Sequence, residues 1–263
     1  LGMVIHMEEN NTMRAAQRLF ALLETLARQG VMGITELAAA TQLNKATVFR
    51  LVNTLAALGY VRQEESGKYR LTLRLFAVGS RVSGVLRILE AARPLLDEFA
   101  GATGEAVHLV QREGDEIAYL YKAEPFVSTV RMSSCVGMRN PMYCTGVGKS
   151  ILALLPEPEV RAIWSRTQPV QYTPTTIMTL PALEQELASI RKQGYALDRE
   201  EHEAGVCCAA VAIRDDRGSP VAAVSISAPP ERLTGDILRA VLPRLEAIAG
   251  QISALLGAAD ANT

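Results

Sequence analysis

Residues 34–71, ITELAAATQLNKATVFRLVNTLAALGYVRQEESGKYRL, admit few folds. The stretch reads as a short helix, a turn, a second helix and a β-hairpin. Thr35 is placed to cap the first helix, in which Leu37 and Ala38 are apolar; Leu43 packs in the turn, and Asn44 can cap the second helix. That helix runs from about Lys45 to Leu58 and stops at Gly59, which supplies the left-handed residue after a helix end. Val48, Leu51, Val52, Leu55 and Leu58 recur at helical spacing and form a core stripe. At about 100° per residue, Ala46, Arg50, Asn53, Thr54 and Ala57 face the other way, with Thr47 on the flank.

That outward face carries no acidic residue, and two of its members are small. Arginine can bind guanine or a phosphate, asparagine can read adenine, and small residues let a helix sink into a major groove. The hairpin, Tyr60–Gln63 and Tyr69–Leu71 around Glu64–Lys68, would be a wing touching the DNA backbone. DNA contacts are therefore expected from Lys45, Ala46, Thr47, Arg50, Asn53, Thr54 and Lys68. The plainer alternative is a helical pair packed on two strands with no ligand. Cap, basic face and wing agree with one another, which favours DNA.

At 263 residues the chain has room for two domains. Residues 1–80 hold nine Lys/Arg and six Asp/Glu, and the rest hold 18 and 22, so a basic first part adjoins an acidic second part. No apolar run of ~18 residues is present, so no membrane span is expected. Residues 1–12 lack the basic start and apolar centre of a signal peptide and are expected to be a disordered tail. Four cysteines make no disulfide framework, which points to the cytoplasm. Cys207 and Cys208, adjacent on a strand, would point to opposite faces and suit no metal.

Upstream, Met13–Gln29 is an amphipathic helix with the stripe Leu19, Leu22, Leu23 and Leu26, flanked by Phe20, capped by Thr12 and ended by Gly30. From Leu73 through Leu89 the pattern is helical, and Pro94 marks a break or a first-turn position before Leu95, Leu96 and Phe99. After Glu105, AVHLVQ, EIAYLYKAE and VSTVRMS read as strands, and CTGVGKS opens the helix SILALL. Helices over Glu157–Ser165 and Leu180–Gln193 precede the strands YALD, VCCAAVAI and VAAVSISA, with a turn at Asp215–Gly218 and a closing helix Thr234–Leu256. Strands do not alternate simply with helices, so the second part is α+β with a mainly antiparallel sheet.

Two constellations could carry chemistry. CTGVGKS lacks the glycine spacing of a P-loop. It is either a helix start whose backbone N–H groups meet a carboxylate or a tight turn where glycines let helix and sheet approach. Ser225 and Ser227 share one face of their strand, which is either a solvated face or, with Asp198 and Cys208, a polar pocket. Glu200, Glu201 and Glu203 read as a solvated acidic stretch.

The pieces NKATVFRLVNTLAALGYV, KYRLT, MYCTGVGKSILA, RKQGYALDREEHEAGVCCAAVAI and VAAVSISAPPERLT resemble the IclR (isocitrate lyase regulator) family of transcription factors over about residues 13–257. TPTTI, YALDREEHEAGVCC and the SIS serines are similar to the glyoxylate-responsive allantoin regulator branch, from which the chain departs at Met142-Tyr143-Cys144-Thr145. The resemblance implies a winged helix-turn-helix domain over 13–72, a helical linker over 73–92, a GAF-like effector-binding domain over 93–257 and a tail over 258–263. It implies a homodimer or homotetramer on double-stranded operator DNA, a repressor of a catabolic operon rather than an enzyme, with no cofactor and no metal. It also implies that Asp198, Cys208, Ser225 and Ser227, with Gly146 and Val147 as backbone donors, bind a small hydroxy- or oxo-carboxylic acid. The rival reading is an enzyme with Cys208 as nucleophile, His202 as base and Asp198 as orienter; a zinc site using Cys144, His202 or Cys208 is a third.

Overall fold

The structure, a computed structural model, describes residues 13–79, 85–124 and 132–258. The chain forms two compact units, one up to Ser83 and one from Gly84. The expected tail over 1–12, the Thr12 cap, most of the expected strand VSTVRMS and nearly all of the C-terminal tail lie outside the described residues.

The first unit consists of α1 (Arg14–Gln29), α2 (Ile34–Thr41), α3 (Lys45–Ala57), the hairpin β1 (Val61–Gln63) and β2 (Tyr69–Leu71), and α4 (Arg74–Gly79). Leu22, Leu26, Leu37, Val48, Val52 and Leu55 are fully buried together, so the helical stripes meet in one core. Asn44 caps α3, its Oδ1 accepting the Thr47 N–H at 2.8 Å. Gly59 follows with φ +78°, a left-handed turn where an L side chain is strained. Two expectations fail locally. The cap of α2 is Gly33, whose N–H donates to Glu36 Oε2 at 2.7 Å, and Thr35 lies inside the helix. Leu58 is half exposed, because the chain turns at Gly59 before that position can reach the core.

The second unit begins with α5 (Val85–Thr103), then β3 (Ala106–Glu113), β4 (Glu116–Ala123), β5 (Arg139–Pro141), α6 (Gly146–Leu152), α7 (Glu157–Arg166), α8 (Leu180–Gln193), β6 (Ala196–Arg199), β7 (Cys207–Arg214), β8 (Pro220–Ala228) and α9 (Gly235–Leu255). The strands form one sheet in the order β5-β4-β3-β8-β7-β6, every pairing antiparallel. The fold class is thus α+β. On one sheet face Leu96 and Phe99 of α5 and Leu245 and Ile252 of α9 pack on Val107, Leu109, Val224 and Ile226. On the other, Val147 and Ile151 of α6, Val160 and Ile163 of α7, and Leu183 and Leu187 of α8 pack on Val110, Ala210 and Ala223.

Pro94 does not divide α5, which runs through it. Proline removes one helical hydrogen bond, but Ala92, Leu96 and Phe99 keep one stripe buried on both sides of it. The short β5 escapes a pattern search because three residues show no alternation.

α6 starts at Gly146, not at Ser150, since Thr145 Oγ1 accepts the Gly148 N–H at 3.2 Å and caps the helix. Gly148 lies against the preceding backbone: a Cβ there would stand 2.3 Å from Met142 Cα. Backbone cannot yield as a flexible side chain can. Gly148→Ala is expected to destabilise the folded chain by about 3 kcal/mol or more, read as a lowered midpoint in urea unfolding. An unchanged midpoint would show that the turn before α6 has slack.

Candidate functional site

On α3, Lys45, Ala46, Arg50, Asn53 and Thr54 are exposed and Thr47 is half-buried. Arg50 makes no ion pair among the described residues. Thr54 donates its hydroxyl to the Arg50 carbonyl at 2.9 Å, so its methyl is what it offers outward. Lys68 stands apart from this face; its Nζ is 2.9 Å from Glu36 Oε1 at the start of α2. On the hairpin, Arg62 lies opposite Arg70 and both meet Glu64 Oε1, at 3.1 and 3.2 Å.

The other six residues converge. Strand register brings Ser227 opposite Cys208, Cys208 opposite Asp198, and Ser225 opposite His108. Period-two alternation then points these side chains to the sheet face that α6 covers. Gly146 and Val147 complete the wall. With Asp198, Cys208, Ser225 and Ser227 they line a single cavity of about 470 Å³, counting space open to solvent. Sequence reasoning missed His108, Tyr119, Asn140 and Ser134, which line it too. Only His108 carried a signal, by alternation within AVHLVQ; Tyr119 and Asn140 enter from β4 and β5, and Ser134 from the segment before β5. Among the described residues no lysine or arginine lines the cavity.

A chain of contacts crosses the floor: Cys208 Sγ to Ser227 Oγ at 3.0 Å, Ser227 Oγ to His108 Nδ1 at 3.3 Å, and His108 Nε2 to Ser134 Oγ at 2.9 Å. Burial, then the nearby Lys122 charge, pushes His108 down to about 3, so its imidazole is neutral and one ring nitrogen accepts while the other donates. Burial first, and the Asp198 charge next, raises the Cys208 thiol well above its usual range. That thiol meets a hydroxyl, not His202, and is not poised as a thiolate.

Asp198 is 4% exposed. Burial raises its carboxyl to about 7; the Glu201 N–H, 2.7 Å from Oδ1, pulls the other way, and the Glu201 charge raises it further. At neutral pH the group can donate or accept. Glu201 is not solvated as the acidic stretch suggested. It is buried, 2.5 Å from the Nζ of Lys149, which is itself fully buried and also 3.3 Å from Glu186. His202 is half-buried, its ring 4.8 Å from that of Tyr172, and it lines the cavity. Among the described residues no group of three or more His, Cys, Asp or Glu could hold a metal ion, and no helix is long and apolar enough to cross a membrane.

Residues 15–65 match the IclR helix-turn-helix domain, and residues 81–254 match the bacterial transcriptional regulator IclR C-terminal domain. The HTH-type transcriptional regulator KdgR of Escherichia coli K12 is 35% identical over 254 residues, 96% of each chain. The HTH-type transcriptional repressor AllR of Salmonella typhimurium is 38% identical over 225 residues, 85% of this chain and 82% of the relative. The crystal structure of Thermotoga maritima IclR superposes with a TM-score of 0.79 at 33% identity, covering 94% of this chain and all of that one. These relatives are regulators, not enzymes.

Two measurements probe the site. Asp198 keeps its proton to about pH 7 when folded, against 3.8 when unfolded. Its contribution to stability is present below the unfolded value and lost as pH rises through the folded one. Asp198→Asn removes that loss, so the mutant should gain on wild type between pH 5 and pH 8 by on the order of 1–3 kcal/mol in urea unfolding; a difference independent of pH would contradict the buried, protonated carboxyl. On α3, Arg50→Ala should weaken operator binding by about 1–3 kcal/mol if Arg50 reads a base. A uniform loss on all DNA with a smaller salt slope would assign it to phosphate.

Proposed function

The chain belongs to the IclR family of bacterial DNA-binding transcriptional regulators, and from that premise we propose that it is a repressor of a catabolic operon, relieved or engaged by a small hydroxy- or oxo-carboxylic acid. The observation that carries the effector reading is convergence. Gly146, Val147, Asp198, Cys208, Ser225 and Ser227, scattered over three strands and a helix start, line one cavity. Among the described residues the cavity offers hydroxyls, a thiol, a neutral imidazole and a carboxyl near its midpoint, and no lysine or arginine. In this reading the Ser225 and Ser227 hydroxyls and the backbone N–H groups of Gly146 and Val147 hold the ligand carboxylate. Asp198 shares a hydrogen bond with a ligand hydroxyl or hydrated carbonyl. A ligand acts on DNA affinity only through different affinities for two conformations of the regulator.

The DNA-reading set is Lys45, Ala46, Thr47, Arg50, Asn53 and Thr54, with Lys68 on the wing. The operator partner is bound by a homodimer or homotetramer in the cytoplasm. Exposed apolar side chains on the first unit, Phe20 of α1 and Phe76 and Val78 of α4, support self-association there, since such surface is costly to leave in water. The domain assignment is winged helix-turn-helix over 13–72, linker over 73–92 and effector domain over 93–257. The enzyme reading is disfavoured by the raised thiol of the half-buried Cys208 and its Ser227 partner.

The test is an operator titration with and without effector, after a thermal-shift screen of small organic acids has found one. Each hydrogen bond to a charged group contributes roughly 1.5–3 kcal/mol, so the double substitution Ser225→Ala and Ser227→Ala should weaken effector binding by about tenfold or more. Operator affinity without effector should stay as in wild type. A normal effector response in the double mutant would move the ligand site elsewhere.

A further inference from the structure

Phe49 stands on α3 at the edge of the outward face, between the core stripe of Val48 and Val52 and the exposed Ala46 and Asn53. Its side chain is 51% exposed. It belongs neither to the buried core of Val48, Val52 and Leu55 nor to the partly buried residues packed against that core, and it stacks on no ring among the described residues. Helical geometry sets it beside Lys45 and Asn53, one turn before and after it, and next to Ala46 three positions back. All three are exposed. An aromatic ring left in water forgoes the burial that its surface would otherwise gain, so its presence amid polar groups calls for an apolar counterpart that arrives with the ligand.

In a major groove only one base offers such a counterpart. Guanine, cytosine and adenine present hydrogen-bonding edges, whereas thymine adds a 5-methyl group. Asn53, one turn further on, carries the amide that pairs with adenine, so the two residues together suit A·T-containing steps. Ala46 beside Phe49 has only a methyl side chain and leaves room for the ring to approach the base. We propose that Phe49 is a base-reading residue, its ring packing against the 5-methyl of a thymine in the operator's major groove. This rests on α3 being the DNA-reading helix, which Arg50→Ala tests separately.

The test uses the full-length protein and an operator obtained by selection from random duplexes. Each thymine is replaced singly by deoxyuridine, which deletes the methyl and keeps every hydrogen-bonding group. At one or two positions wild type should lose about three- to fivefold in affinity. Phe49→Ala should bind the thymine and deoxyuridine duplexes equally at those positions, while Ala46→Gly and Arg50→Ala keep the discrimination. If Phe49→Ala binds too weakly to titrate, Phe49→Leu, with its smaller side chain, should show a reduced discrimination. Wild type indifferent to deoxyuridine at every position overturns the proposal. So does discrimination that persists undiminished in the Phe49 variants, which would assign the methyl contact to another residue of the helix.

Discussion

The buried pair of Lys149 and Glu201 is the contact on which the candidate pocket depends. Both charges are withdrawn from water, and removing one partner of such a pair costs about 3–5 kcal/mol because the other is left uncompensated. Lys149 sits in α6, whose first residues form one wall of the cavity; Glu201 sits in the segment after β6 that supplies His202 and Glu203 to the opposite wall. The ion pair therefore fixes two walls relative to each other. Glu201 also gives its backbone N–H to Asp198, so the same anchor orients a carboxyl whose protonation is balanced near neutrality. Glu201 Oε2 is buried with no partner among the described residues, so part of the cost of burying this charge is left standing and must be offset by the packing around it.

The rest of that segment is held by side chains of the TPTTI stretch. Thr173 and Thr175 donate to the Glu200 carbonyl at 2.6 and 2.7 Å, and Thr176 to the Glu201 carbonyl at 2.6 Å. Glu200 itself has φ +60°, a conformation that side-chain-bearing residues adopt only when their surroundings impose it. Three threonines and a buried lysine thus impose a strained turn beside the cavity. The similarity of TPTTI to a family motif has a physical content here: hydroxyls at close spacing satisfy consecutive carbonyls of a bent segment.

The two units divide their labour by surface chemistry. The first presents a helix face free of carboxylates, with Arg50 unpaired among the described residues and Phe49 exposed. The second hides its polar groups in a cavity with no lysine or arginine among its described lining residues. An exposed cationic helix suits a polyanion; neutral donors around a carboxyl that titrates near neutrality suit a small acid that must also leave.

The sequence by itself determined most of the elements and their order, the short β5 excepted. Helical spacing on α1 and α3, the Asn44 cap and Gly59 fixed the helix-turn-helix, because those signals are local. The pairing of Ser225 with Ser227 on one strand face was equally local. Whether that face met water or a pocket was decided only by tertiary structure, since the answer lies in register across β3, β7 and β8 and in the helix laid over them. The same holds for Glu201, an apparent surface acid until Lys149, 52 positions away, is brought to it. Phe49 shows the converse: spacing beside the stripe of Val48 and Val52 does not say whether its ring is covered, and only the packed unit leaves it outside. Local spacing encodes what a residue's own helix or strand will do; partners distant in sequence decide whether its side chain is buried, charged or free to meet a ligand.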